Sequence, residues 1–120
     1  MTVSVTGMFL FSGYQSAMNE FSDEAQEEVR TVIGGDLEVA KSLSHYAFVA
    51  EKVCNRVFDE MNAFCVGGVW EYEVAEDAGQ WFILFVNDRG CEPSDQEWEQ
   101  HIEGVTRKFI QANYCEEVVL

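Results

Sequence analysis

FCVGGVWEYEVAEDAGQWFILF, residues 64–85, is the stretch on which the fold depends. Trp70 and Tyr72 share one parity and Glu71 and Glu73 the other, the pattern of a strand with one buried and one wet face. AEDAG supplies a turn, so residues 69–74 and 80–86 are expected to form a hairpin, entered through Gly67-Gly68. WFILFV is apolar on both parities and belongs in the middle of its sheet.

Working outward, Val3, Val5, Phe9 and Phe11 fall on one parity, so residues 2–11 read as a strand broken at Gly13. Ser22, with Asp23 and Glu24 behind it, starts a helix by offering a hydroxyl and negative charge to free amides, and Gly34-Gly35 stops it. Leu43, Tyr46, Ala47, Ala50, Val53, Cys54, Val57, Met61 and Phe64 recur every three or four residues, the longest helical signal, over residues 36–65 with a break near residues 42–44. Ser94 and Glu97 form a capping box after Pro93. Trp98, Ile102, Val105 and Phe109 continue that helix, with Arg107 and Lys108 in its last turn. Residues 115–120 add a short closing strand. The expected fold is α+β: one domain over residues 1–120, a small antiparallel sheet packed against two or three helices.

Composition narrows the chemistry. The chain has 120 residues, enough for one core, and no apolar run long enough to span a membrane, so a cytoplasmic protein is expected. Cys54, Cys65, Cys91 and Cys115 show no metal or redox spacing and read as buried thiols in a reducing compartment. His45 and His101 stand apart from any catalytic motif, and no metal site, cofactor or catalytic residue is signalled. Twenty-two acidic residues against seven basic ones give a net charge of −15. That field repels nucleic acid and anionic membrane and speeds encounter with a basic surface. Plain solubility, and the acidic surface of a halophile, are competing explanations of the charge.

The arrangement of the carboxylates adds to their number. Residues 71–103 hold ten acidic side chains and one cation, Arg89. Glu71, Glu73, Glu76 and Asp77 on the hairpin, with Glu97, Glu99 and Glu103 on the last helix, are the candidate partner-binding residues. Glu20, Asp23, Glu24, Glu27 and Glu28 make a second cluster. Carboxylates three or four apart on a helix stand about 5 to 6 Å from one another, close to the spacing of phosphates along a strand, so such rows can imitate a polyanion.

Cys65, Gly67, Gly68, Trp70, Tyr72, Gly79, Trp81 and Phe82 give the segment 57–85 the look of the central signature of the ArdB/KlcA antirestriction family: a helix ending near a cysteine, Gly-Gly-x-Trp-x-aromatic, a glycine turn and an aromatic return strand. Ser94 and its helix extend the resemblance to about residue 110. It implies an α+β antirestriction protein carried by a plasmid or phage and acting against host type I restriction. The expected function is that of a non-catalytic inhibitor of a nucleic-acid-targeting defence system, restriction enzyme or CRISPR effector, whose basic nucleic-acid-binding surface it covers as a DNA mimic. An immunity or antitoxin-like protein that neutralises one basic toxin or nuclease is the alternative. In either case the partner is a basic protein, with no direct contact to nucleic acid or membrane, and monomer and dimer are both open.

Overall fold

The computed structural model describes residues 4–63 and 69–113. Among them there is no strand and the only regular elements are helices, so the α+β expectation is overturned, together with the α+β fold that the family resemblance implied. The helices are α1 (Val5–Met18), α2 (Asp23–Ile33), α3 (Asp36–Glu60), α4 (Glu76–Arg89) and α5 (Asp95–Asn113), with a π-helical turn, Glu71–Ala75, leading straight into α4.

The expected hairpin is this π turn and α4. Trp70 is buried and Tyr72 exposed, so the two aromatics do not share a face. Trp70, Val74, Ala78, Phe82 and Val86 go inside at steps of four, with Val74 partly covered, and Ala75, Gly79 and Ile83 form a second buried row beside them. A plain α-helix has 3.6 residues per turn, so four-residue steps drift around its axis. A turn with i→i+5 bonding absorbs an extra residue and holds Trp70 and Ala78 on one side. Period two over six residues was therefore part of a longer period near four. WFILFV is apolar on both parities because Phe82, Ile83 and Val86 are buried, Trp81 and Phe85 line the edge, and only Leu84 faces water.

The expected N-terminal strand is α1. Ser4 caps it, its Oγ accepting from the Gly7 amide at 3.0 Å. Gly13 does not break the helix, and Gly79 makes no turn. A Cβ on Gly13 would lie 1.9 Å from the Glu76 carbonyl oxygen, and one on Gly79 would lie 2.1 Å from that of Leu10. The two contacts cross over, Gly13 against Glu76 and Leu10 against Gly79, so α1 and α4 run antiparallel with their backbones touching. Small residues at such a crossing let carbonyl oxygens sit where side chains would otherwise stand.

Other helix boundaries follow the local chemistry. Ser22 caps α2 through the Ala25 amide at 3.2 Å, and Gly34, at φ +105°, ends it. α3 passes unbroken through residues 42–44, where Ser44 Oγ donates to the Ala40 carbonyl at 3.0 Å instead of interrupting the helix. It ends at Glu60, and Asn62, two residues on, takes a left-handed φ of 56°. Gly90, at φ +74°, closes α4. The Ser94–Glu97 box is formed in both directions, at 2.8 and 3.1 Å. α5 runs on to Asn113, so Arg107 and Lys108 lie well inside it. The predicted closing strand 115–120 and the Gly67-Gly68 entry lie outside the described residues, as do Cys65 and Cys115. Cys54 is buried as expected, but Cys91 is exposed.

α3 packs along α5 and α1, and α1 along α4. Aromatic side chains fill the joint where α3, α4 and α5 meet. Tyr46, Phe82 and Trp98 pack edge to face, and Trp81 stacks on His101 at 4.0 Å between centroids. Their buried polar atoms are satisfied. Trp98 Nε1 donates to the Tyr46 carbonyl at 2.8 Å, Tyr46 Oη donates to the Pro93 carbonyl at 2.6 Å, and Trp70 Nε1 donates to Thr106 Oγ1 at 3.0 Å. No helix among the described residues is long and apolar enough to cross a membrane.

Replacing Gly79 by Ala is expected to destabilise the fold by at least about 2 kcal/mol, since two backbones must separate. Gly104, in mid-helix with open space around it, is the contrast. Gly104→Ala is expected to stabilise by about 0.5 to 1 kcal/mol. Urea midpoints of the two variants check both signs; equal midpoints would remove the backbone contact from the account.

Candidate functional site

The predicted partner-binding carboxylates of the 71–103 region are all on helices, and they point in different directions. Glu76 turns toward α1 and accepts from Ser12 Oγ at 3.1 Å. Glu73 and Asp77, one turn apart, line a cleft of about 370 Å³ between α4 and α5 whose other wall carries His101, Val105 and Lys108. Glu71 is half-buried, and its Oε1 is buried with no hydrogen-bond partner among the described residues.

On α5 the carboxylates are mostly engaged. Glu97 caps its own helix through the Ser94 amide, which holds its carboxyl below the ordinary carboxylate value, with Arg89 at 3.9 Å. Glu103 joins Arg107, Arg56 and Glu60 in a four-residue ring closed by contacts of 2.9 to 3.2 Å across α3 and α5. Hydrogen bonds from the two guanidinium groups lower the carboxyls of Glu60 and Glu103 alike. Glu99 borders a separate small cleft with Lys52 and Arg56. The structure brings Glu73 and Asp77 together, sets Glu103 in an internal pair network, and does not join these seven side chains into one row.

The second cluster is different. α2 buries Val29 and Ile33, and Gln26 Nε2 ties it to the end of α1 by donating to the Met18 and Phe21 carbonyls at 3.0 and 3.2 Å. That anchoring turns Asp23, Glu24, Glu27 and Glu28 outward, with Glu20 just before them, all exposed. Asp23 with Glu27 and Glu24 with Glu28 are i, i+4 pairs, two adjacent rows on one helix face. Among the described residues no cation stands within ion-pair distance of the five, and Arg30, one turn on, leans on Gln26 at 3.4 Å. Ser22 was the signal in the sequence: a helix capped there must place its first-turn acids at the wet, positive end of the dipole.

Catalytic arrangements are thin. His45 Nε2 lies 2.9 Å from Asp95 Oδ1, but both side chains are more than half exposed, at 53% and 61%, and so lack the water-excluded setting in which such a pair becomes a strong base. His101 is packed against Trp81, and burial pushes its pKa down to about 4. Burial, followed by the nearby Glu92, raises the Tyr46 phenol, which stays neutral as a hydrogen-bond donor. No group of three or more His, Cys, Asp or Glu among the described residues is placed to hold a metal ion. No protein-family model, no characterised protein and no solved structure matches the chain.

His101 makes folding pH-dependent in a defined window. Its folded pKa is depressed from 6.5 to about 4, so between those values the unfolded chain takes up a proton that the folded chain refuses. Stability is expected to be full above pH 6.5 and to fall by about 1 to 3 kcal/mol as pH drops toward 4. The lowered carboxyls of Glu60, Glu97 and Glu103 act in the same direction only below their ordinary value of 4.5. His101→Phe keeps the stack on Trp81 and should flatten the upper part of the profile in urea titrations. An unchanged slope between pH 6.5 and 4.5 would assign it elsewhere.

Proposed function

We propose that this chain is a non-catalytic inhibitor that occupies the basic nucleic-acid-binding surface of a host defence complex, a restriction enzyme or CRISPR effector, in the manner of a polyanion. The observation that carries it is the α2 face: Asp23, Glu24, Glu27 and Glu28 in two exposed rows, held on a helix whose other side is anchored in the core and by Gln26. A solvated surface needs no such rigidity. A substitute for phosphates does, because the ordering of flexible charges on binding costs free energy that a preformed row avoids.

The charge balance supports the same assignment. Arg56, Arg89 and Arg107 are spent on the chain's own carboxylates on α3 to α5, and none of them reaches α2. The net charge of −15 steers a cationic surface toward the molecule, and α2 offers it uncompensated partners. Glu73 and Asp77 form a second, smaller place of contact, whereas Glu103 and Glu97, engaged in structural bonds, contribute to the field alone.

The test is affinity capture from a bacterial lysate at about 0.05 M and about 0.5 M salt, followed by elution with duplex DNA. A captured nuclease or effector complex is expected at the lower salt, lost at the higher and displaced by DNA. Exchanging Asp23→Asn, Glu24→Gln, Glu27→Gln and Glu28→Gln together should weaken retention at least about tenfold with the helical circular dichroism unchanged. Full retention by that variant rules α2 out as the contact. Capture of a single small basic toxin makes the chain an immunity protein instead.

A further inference from the structure

We infer that the chain pairs with a second copy of itself through the face formed by α1 and the first part of α3. α1 carries no charged side chain in its 14 residues, in a protein where 24% of residues are charged. Between it and α3 lies an apolar cleft of about 660 Å³. Gly7 and Leu43, both buried, belong to its floor, and Met8 and Leu37 to its rim, exposed at 58% and 65%. Side chains of that size standing in water beside a hollow of matching character mark an interaction surface.

The outward spacing on both helices is that of a packing seam. Val5, Met8, Ser12 and Gln15 on α1 follow steps of three, four and three. Leu37, Lys41, Ser44 and Phe48 on α3 follow steps of four, three and four, and all eight positions are exposed. Helices present such stripes where another helix is to lie along them. A two-fold copy supplies two, and it puts the Met8 and Leu37 ridge of each protomer into the cleft of the other, as an isologous contact requires.

Charge selects the occupant. Among the described residues no carboxylate lines the cleft, so the basic partner proposed above finds none of them there to hold. Two chains of −15 repel through most of their surfaces and can meet at low cost only on a neutral one. Lys41 lines the same cleft, and Asp36 and Glu38 stand exposed in the adjoining first turn of α3, so the rim carries both signs and complements itself across a two-fold axis. Salt then acts in opposite senses on the two associations: screening relieves repulsion between like-charged copies and strengthens the pair, while it weakens the hold on a basic partner.

Sedimentation velocity at micromolar protein, from about 0.1 M to about 1 M NaCl, provides the test. The expected mass is twice the 13.6 kDa of one chain, with the dimer fraction rising with salt. Met8→Glu with Leu37→Glu should restore the monomer with unchanged circular dichroism; Gln15→Arg, exposed on the same rim, gives the same reading should the double variant lose helix. Leu84→Glu, exposed on α4 away from the cleft, should remain a dimer. A monomer at every salt, a dimer that loosens as salt rises, or one that persists in the rim variants overturns the inference. None of these results bears on α2, so loss of the dimer and loss of partner capture are separable.

Discussion

Everything in this structure is arranged around the place where α1 and α4 touch backbone to backbone. Leu10 and Gly79 on one side of the crossing, and Gly13 and Glu76 on the other, leave no room for a Cβ. Close approach brings Leu10, Tyr14, Phe82 and Ile83 into the same layer, where each is fully or almost fully buried. With α1 fixed in this way, its end also fixes α2, since Met18 and Phe21 supply the carbonyls that Gln26 grips. The acidic face of α2 is thus aimed by two glycine-to-backbone contacts between two other helices.

A second organising feature is the division of charge. Three carboxylates of α3 and α5 are engaged locally, Glu97 in a capping box and Glu60 and Glu103 in the ring with Arg56 and Arg107. Exposed pairs of this kind contribute little to stability individually, and their larger effect here is to cancel charge on one side of the molecule. α2 is left uncompensated and α1 neutral. The described helices thereby hold three surfaces of different character: a paired one, an anionic one and an apolar one. The second is proposed to meet a basic partner and the third a copy of the chain.

Segments 2–11 and 69–86 show how local alternation misleads. Over six residues, period two and a period near four both put Trp70 and Val74 on one side and Glu73 on another. Ala78, Phe82 and Val86 fit both periods; the exposure of Tyr72 and Leu84, which stand on the same parity, separates them, and the π turn, with its extra residue, disguises the helix further. In the sequence Gly13 and Gly79 read as punctuation because an isolated glycine in a helix or strand costs stability. Their actual reason is a partner helix far away in the chain, which no window of sequence contains. By contrast, Ser22, Gly34 and the Ser94–Glu97 pair act on groups within four residues of themselves, and all three mark helix ends where the sequence places them.

The candidate site divides along the same line. The excess of carboxylates, and the cluster at 20–28 behind a capping serine, are properties of the sequence alone, because charge sums without reference to shape and a cap is a local bond. Which carboxylates stay free was decided only by the fold. Glu103 is held by Arg107, one turn on, and also by Arg56, 47 positions away, while Glu76 is turned aside by Ser12, 64 positions away. Tertiary contact brings opposite charges to within 4 Å irrespective of their order in the chain. Local chemistry therefore determined where helices begin and end, and packing determined what they show.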